Sequence, residues 1–275
     1  MNLPLEPESS ESCEPSGPNP IRCSSADETR GDEARLRTVL GMMAKFWVAG
    51  EVKTRLGSTI GMTSAASIHR LFTTHLCKNL CRSAERRELC IAPDRRLAAV
   101  ESTLAEMKLD RQWHVVRQGT GDLGQRMARW MTRNLTKPES RSILIGADCP
   151  TLGDHDIQQA IDLLQRYDVV LGPALDGGYY LIGLRGCWDD RRNSLFQSIP
   201  WSGPDVLERT TERVAMAGMS LARLPAAEDI DTISELNQLT NRLRASTSSA
   251  DRVLLSEIKR ALGISSTDTE SQSNR

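Results

Sequence analysis

The sequence predicts an α/β fold, a mostly parallel sheet covered by helices on both faces. Two observations carry the prediction. From residue 35 onward, short apolar runs alternate with amphipathic helical patterns across connections of a few residues, the signature of β-α units whose strands are buried on both sides. No internal repeat and no proline- or glycine-rich linker interrupts the region, so a single core is expected.

Residues 1–34 are rich in Glu, Ser, Pro and Asp, with few sizeable apolar side chains. Such a segment buries too little surface to offset its ordering entropy and reads as a disordered acidic arm. The domain is expected over 35–245. Its strands are read at "RLRTVLGMMAKF", "RELCIAP", "WHVVRQ" and "RSILIGAD". Its helices are read at "MTSAASIHRLFTTHLCKNLCRS", "RRLAAVESTLAEMK", "LGQRMARWMTRNL" and "DHDIQQAIDLLQRY". After "DVVLGPALDGGYYLIGL" the pattern becomes helix, short strand ("SLARLP") and a final helix from "DTISELNQLTNRLR". Residues 246–263 put Leu254, Leu255, Ile258, Ala261 and Leu262 on one helical stripe, to dock on the domain or a partner, and 264–275 read as a second disordered tail.

Formal net charge is −1, so no global field draws the chain to nucleic acid or an acidic membrane. No apolar stretch approaches the roughly 20 residues that span a bilayer, and the acidic N-terminus lacks a secretory pattern, so a cytoplasmic location is expected. The seven cysteines include no CxxC pair, which argues against a disulfide framework and a structural zinc site.

Ligands of open parallel sheets bind beyond the carboxyl ends of the strands, so polar residues following each strand are the functional candidates. After the first strand, "AGEVKTRLG" offers Gly50, Lys53, Thr54 and Arg55 to a phosphate chain without the spacing of a Walker A loop. The bland alternative is an ordinary basic surface loop. "RQGTGDLGQRM" places Gln118, Asp122, Gly124 and Arg126 around a tight turn into a helix, which suits a nucleotide contact or a plain turn.

The strand "ILIGADCP" ends in Asp148, where a hydrated cation could bridge it to phosphate oxygens. Strand-end aspartates also cap following helices, but Asp154 is better placed for that task here. Asp176-Gly177-Gly178, followed by Tyr179 and Tyr180, reads as a hairpin turn and as a pocket wall able to accept hydrogen bonds from sugar hydroxyls. In "AEDIDTISEL", Asp231 is the second metal-ligand candidate, with Asp229 as a substitute, although Thr232 or Asp231 with Glu235 also forms an N-cap signature. The four histidines are assigned structural roles, and no Ser/His/Asp arrangement suggests itself.

Taken together, "GEVKTRLG", "QGTGDLGQRM", "LIGADCPTL", "LGPALDGGYYLIGL", "IPWSGPDVLERT" and "DIDTISEL" resemble, in order and spacing over about residues 38–240, a bacterial family of unknown function. That family is usually labelled a GT-A-type glycosyltransferase and often encoded near radical SAM proteins. The resemblance implies the nucleotide-diphospho-sugar transferase fold, a Rossmann-like α/β/α sandwich. It implies Mg²⁺ (or Mn²⁺) held by Asp148 and Asp231, and phosphate contacts from Lys53 and Arg55. The family loop Lys-Ala-Pro-x-Pro-Gly is replaced by Lys45-Phe46-Trp47-Val48-Ala49-Gly50; loss of the prolines is expected to leave this turn less preorganised.

Two chemistries fit these residues: glycosyl transfer from a nucleoside diphosphate-sugar to a small-molecule acceptor, and nucleotidyl transfer onto a substrate phosphate with release of pyrophosphate. An Asp-Cys-Pro strand end beside a Lys/Arg loop resembles the nucleotidyltransferase branch of the superfamily, including the guanylyltransferases of cofactor biosynthesis. A catalytically silent nucleotide-sugar-binding module is the third reading. The residues leave oligomeric state open.

Overall fold

The computed structural model describes residues 38–201 and 203–264. The expected arm over 1–34 lies outside the described residues, as does the tail beyond Ile264.

Strand β1 (Thr38–Lys45) is apolar on both faces because it is central. Leu40, Met42 and Ala44 enter the core on one side and Val39 on the other. It runs parallel to β2 (Arg86–Ala92) and to β4 (Arg141–Gly146), with Met42 opposite Leu89 and Ile145. β3 (His114–Arg117) extends β2 in parallel. Beyond β4 come β6 (Tyr179–Arg185), β5 (Val169–Pro173) and β7 (Leu221–Arg223), in the order β3-β2-β1-β4-β6-β5-β7. β6 is antiparallel to both neighbours, because the "PALDGG" turn folds it back along β5. The sheet is therefore mostly parallel, as the alternation predicts, with one reversed strand.

The helices are α1 (Thr54–Ile60), α2 (Met62–Asn79), α3 (Leu97–Glu106), α4 (Leu123–Asn134), α5 (Asp154–Leu163), α6 (Asp190–Ser194), α7 (Val206–Met216), α8 (Ile233–Ala245) and α9 (Ser249–Ala261). Leu76 of α2, Val100 and Leu104 of α3 and Ile157 of α5 pack on the Leu40–Met42 face. Met127 and Trp130 of α4 and Val214 of α7 pack on the Val39 face with Leu144 and Ile182. This gives three layers. Outside α2, a third cluster joins Leu56 of α1, Phe72, Leu239 of α8, and Leu254 and Ile258 of α9, so the C-terminal stripe is covered within the chain.

Two expectations change. The stretch after Lys53 is helical rather than a loop, since Leu56 is fully buried and anchors α1. Asp154 does not cap α5: it is the first helical residue and accepts a hydrogen bond from Ser83 Oγ. Asp156 instead accepts from Gly153 N (2.9 Å) at the helix entrance.

Candidate active site

The parallel strands end on one edge of the sheet, and there the chain encloses a cleft of about 1060 Å³. β4 divides it. On the β1–β3 side, Lys45, Lys53, Arg55 and Arg126 reach the cleft; on the β6–β7 side, Asp176, Asp229 and Asp231 do. A smaller concavity of about 450 Å³ lies at Pro138 and Arg185–Arg192, where the arginines are already paired with Asp168 and Asp189.

At the centre of the cleft, the Lys53 ammonium donates to Asp148 Oδ1 and, at 3.0 Å, to Asp231 Oδ1. Three segments produce this convergence. Asp148 follows β4. The Ile230 amide donates to the Asp148 carbonyl (3.0 Å), fastening the 229–231 segment to the strand end. Lys53 stands at the head of α1 in left-handed backbone, φ 46°, a conformation that a non-glycine residue holds only where its surroundings fix it.

Capping frees Asp231 for this task. Thr232 is the N-cap of α8, and Glu235 Oε2 accepts from the amides of Asp231 (2.6 Å) and Thr232 (2.7 Å). The Asp231 side chain is left to face Lys53.

Burial alone would lower the Lys53 pKa, but Asp148 and Asp231 reverse this and hold it above the ordinary lysine value. Burial would raise Asp148; the Lys53 ammonium holds its carboxyl well below the usual range. Asp229 has no cation partner among the described residues. Desolvation, then the charge of Asp176, pushes it up to about 6.

His69 is the residue that sequence reasoning missed. Its Nε2 lies 3.0 Å from the Lys45 carbonyl, which can only accept, so that nitrogen carries the proton. Nδ1 is buried with no hydrogen-bond partner among the described residues, 3.7 Å from Asp148 Oδ1. No local pattern marks a histidine within an amphipathic helix as site-facing. Trp201 was missed likewise; it lines the cleft and stacks on Phe196 at 6.4 Å.

Among the residues expected from the sequence, Thr54, Arg55, Asp122, Gly178 and Tyr179 line the cleft with those already named. Gln118 also lines it, but its amide nitrogen donates to the carbonyls of Ala44 (3.0 Å) and Cys90 (2.8 Å), tying strand ends together. Asp122 is spent as the N-cap of α4, paired reciprocally with Gln125. Arg126 donates to the Gly121 carbonyl (2.8 Å) and Gln118 Oε1 (3.3 Å), which orients it along the cleft. Asp176 Oδ1 accepts from Gly178 N (2.9 Å), so the segment is both turn and wall.

Three glycines are corrected. Gly50 is exposed in the turn and outside the cleft lining. Gly124 is buried under Trp201, where a Cβ would meet the indole at 2.4 Å. Gly177 (φ 93°) meets the Pro204 carbonyl, which a Cβ would strike at 1.8 Å. The last two let Trp201 and Pro204 lie against the two walls; neither touches the cleft.

The first-strand turn, where the family prolines are absent, is packed by aromatic rings. Phe46 and Trp47 stack at 4.7 Å, with the Arg96 guanidinium 4.9 Å over Phe46 and that of Arg70 5.7 Å over Trp47. Each guanidinium is thus within cation–π reach of a ring in the turn.

Residues 77–203 match a protein family described as uncharacterized and conserved in bacteria, DUF2064. A solved structure from Desulfovibrio desulfuricans G20, provisionally described as a nucleotide-diphospho-sugar transferase, shares 32% identity. That match covers 83% of this chain and 97% of that one, with a TM-score of 0.70. The chain belongs to this family. A nucleotidyl transferase from Methanothermobacter thermautotroptrophicus shares 14% identity, covering 77% of this DUF2064 chain and 100% of its own, with a TM-score of 0.50; that likeness shows the fold alone. No curated protein matches.

The donor set of this DUF2064 chain fits a hard divalent cation. Asp148 and Asp231 converge on one ammonium, so their oxygens lie within reach of one ion. Among the described residues no three His, Cys, Asp or Glu side chains form a closed metal cage. Two carboxylates with open positions suit Mg²⁺ or Mn²⁺, which keep water and substrate phosphate in their shell. Among the described residues no helix is long and apolar enough to cross a membrane.

Proposed function

We propose that this chain is a Mg²⁺- or Mn²⁺-dependent transferase that moves a sugar from a nucleoside diphosphate donor to a small acceptor bearing a hydroxyl group. The division of charge across the cleft carries the reading. Cations on the β1–β3 side suit a diphosphate. No lysine or arginine from residues 148–231 lines the cleft among the described residues, so the opposite wall, with its aspartates, suits hydroxyls and repels a phosphorylated acceptor. Likeness to the Desulfovibrio protein supports the donor class.

In this reading Arg55, which has no ion-pair partner among the described residues, offers its planar fork to the diphosphate. A divalent cation held by Asp148 and Asp231 would neutralise charge on the leaving group. Asp176 accepts hydrogen bonds from hydroxyls at the rim. Asp229, which lines the cleft without a cation partner among the described residues, takes the acceptor proton at its carboxylate.

One observation favours nucleotidyl transfer instead: Lys53 and Arg55, two residues apart in the chain, both line the cleft, and two cations there suit departing pyrophosphate. The two readings separate in one experiment. Thermal-shift screening of nucleoside diphosphate-sugars and nucleoside triphosphates, with and without Mg²⁺, identifies the donor, and ³¹P NMR then reads the product. Release of nucleoside diphosphate is expected; release of pyrophosphate overturns glycosyl transfer. Under the nucleotidyl reading, Lys53→Ala weakens a triphosphate more than a diphosphate-sugar, and equal losses remove that reading's support.

A further inference from the structure

Lys53 occupies the point where a shared cation of Asp148 and Asp231 would sit. Its side chain is 1% exposed, whereas those of Asp148 and Asp231 are 46% and 38% exposed. The carboxylates open to solvent and the ammonium meets them from the protein side. The ring of Phe72 lies behind it, 5.8 Å away. A free divalent ion approaching from solvent therefore meets carboxylates whose inner oxygens are already satisfied, together with a fixed positive charge beside its seat.

We propose that Lys53 is a built-in cation that closes the carboxylate pair to free divalent ions, so that the metal enters only together with a phosphate chain. The inference rests on the metal-dependent transferase reading above and adds an order of binding to it. A phosphate chain removes the conflict because its oxygens take over the ammonium in charge-assisted hydrogen bonds, releasing Asp148 and Asp231 to the metal. The flexible lysine stem permits this exchange of partners where a rigid arginine fork would not. Metal and phosphate then raise each other's affinity by the same factor, because the coupling between two bound ligands is reciprocal.

The test is a Mn²⁺ titration of the full chain followed by EPR of the free ion, with water-proton relaxation reporting ternary complexes when UDP or GDP is added. Wild type should bind Mn²⁺ alone weakly. Lys53→Met, which removes the charge while keeping the length of the side chain, should bind Mn²⁺ alone about tenfold tighter, within the usual range of such couplings. It should also lose most of the enhancement that the nucleotide brings. Lys53→Arg keeps the charge and should show no gain, and adding Asp148→Asn to Lys53→Met should abolish the gain.

If Lys53→Met binds free Mn²⁺ no tighter than wild type, while wild type still forms a ternary complex that Asp148→Asn destroys, the closing role is wrong and the metal site stands. If wild type forms no ternary complex with either nucleotide and Lys53→Met binds no Mn²⁺, the carboxylate pair is not a metal site, and both the transferase reading and this inference fall. Circular dichroism of each variant establishes that it is folded.

Discussion

The wall that follows β1 and β3 presents Lys45, Lys53, Arg55 and Arg126, whereas the wall that follows β5 and β7 presents Asp176, Asp229 and Asp231. Both hang from one sheet, and the boundary between them is β4, whose end carries Asp148. The cationic wall also holds Glu51 and Asp122, but Asp122 is consumed as a helix cap. The difference teaches that charge sorts two substrates within one cleft. An anionic leaving group is attracted to one side, and on the other the carboxylates, which among the described residues have no counter-charge beyond Lys53, reach for hydroxyl donors. Asp148 belongs to both arrangements, since it accepts from Lys53 while lying beside the Asp229–Asp231 segment.

The strongest way to break this comparison is to remove its shared member. Asp148→Ala should lower transfer by about 10²–10³-fold, the usual scale for losing a preorganised charge at the reacting centre, and should abolish Mg²⁺-dependent nucleotide binding measured by calorimetry. Its circular dichroism should remain that of wild type, since the side chain is half exposed and lies outside the core clusters. Nucleotide binding that is unchanged and still Mg²⁺-dependent would refute the metal assignment.

A finer test asks whether the two walls act separately. Arg55→Ala should raise the donor KM about tenfold, the value of one charge-assisted hydrogen bond, and leave the acceptor KM alone. Asp176→Asn keeps an oxygen for the Gly178 amide, so the turn survives, and should do the reverse by about fivefold, a change of about 1 kcal/mol. If both substitutions move both KM values together, the division of labour is wrong, even though each residue lines the cleft.

Much of this arrangement is legible in the chain itself. Short apolar runs mark β1, β2 and β4, and an Asp148 that follows β4 two residues ahead of a proline places that carboxylate on the ligand edge. Thr232 with Glu235 announces a cap, which leaves Asp231 free for other work. What the sequence withholds is long-range. Lys53 is 95 residues from Asp148 and 178 from Asp231, and no local propensity encodes a lysine in left-handed backbone. The reversal of β6 is the exception: the Asp176-Gly177-Gly178 turn signal announces the hairpin that sets β6 antiparallel to β5. His69 and Trp201 are hidden because a helix stripe and a proline-containing loop reveal burial, not direction. The two glycines beneath Trp201 and Pro204 mislead for the same reason: a small residue marks close approach, and only the fold says of what.

The smallest expected effect compares two carboxylates in stability. Asp148 has a lowered pKa, so its contribution is present above the unfolded value and is lost as pH falls through the folded one. Asp229 has the opposite sign. Its folded pKa, about 6, lies above the unfolded value near 4. The protonated form is the one the fold prefers, so its contribution is fully present below pH 4 and is lost as pH rises toward 6. Asp229→Asn removes this dependence. Relative to wild type, the variant should gain stability between about pH 4 and pH 6, levelling at about 1 kcal/mol once solvent screening of a half-buried group is allowed for. Thermal melts of the two proteins across that window read the difference directly. A constant offset would mean that Asp229 keeps an ordinary carboxylate pKa.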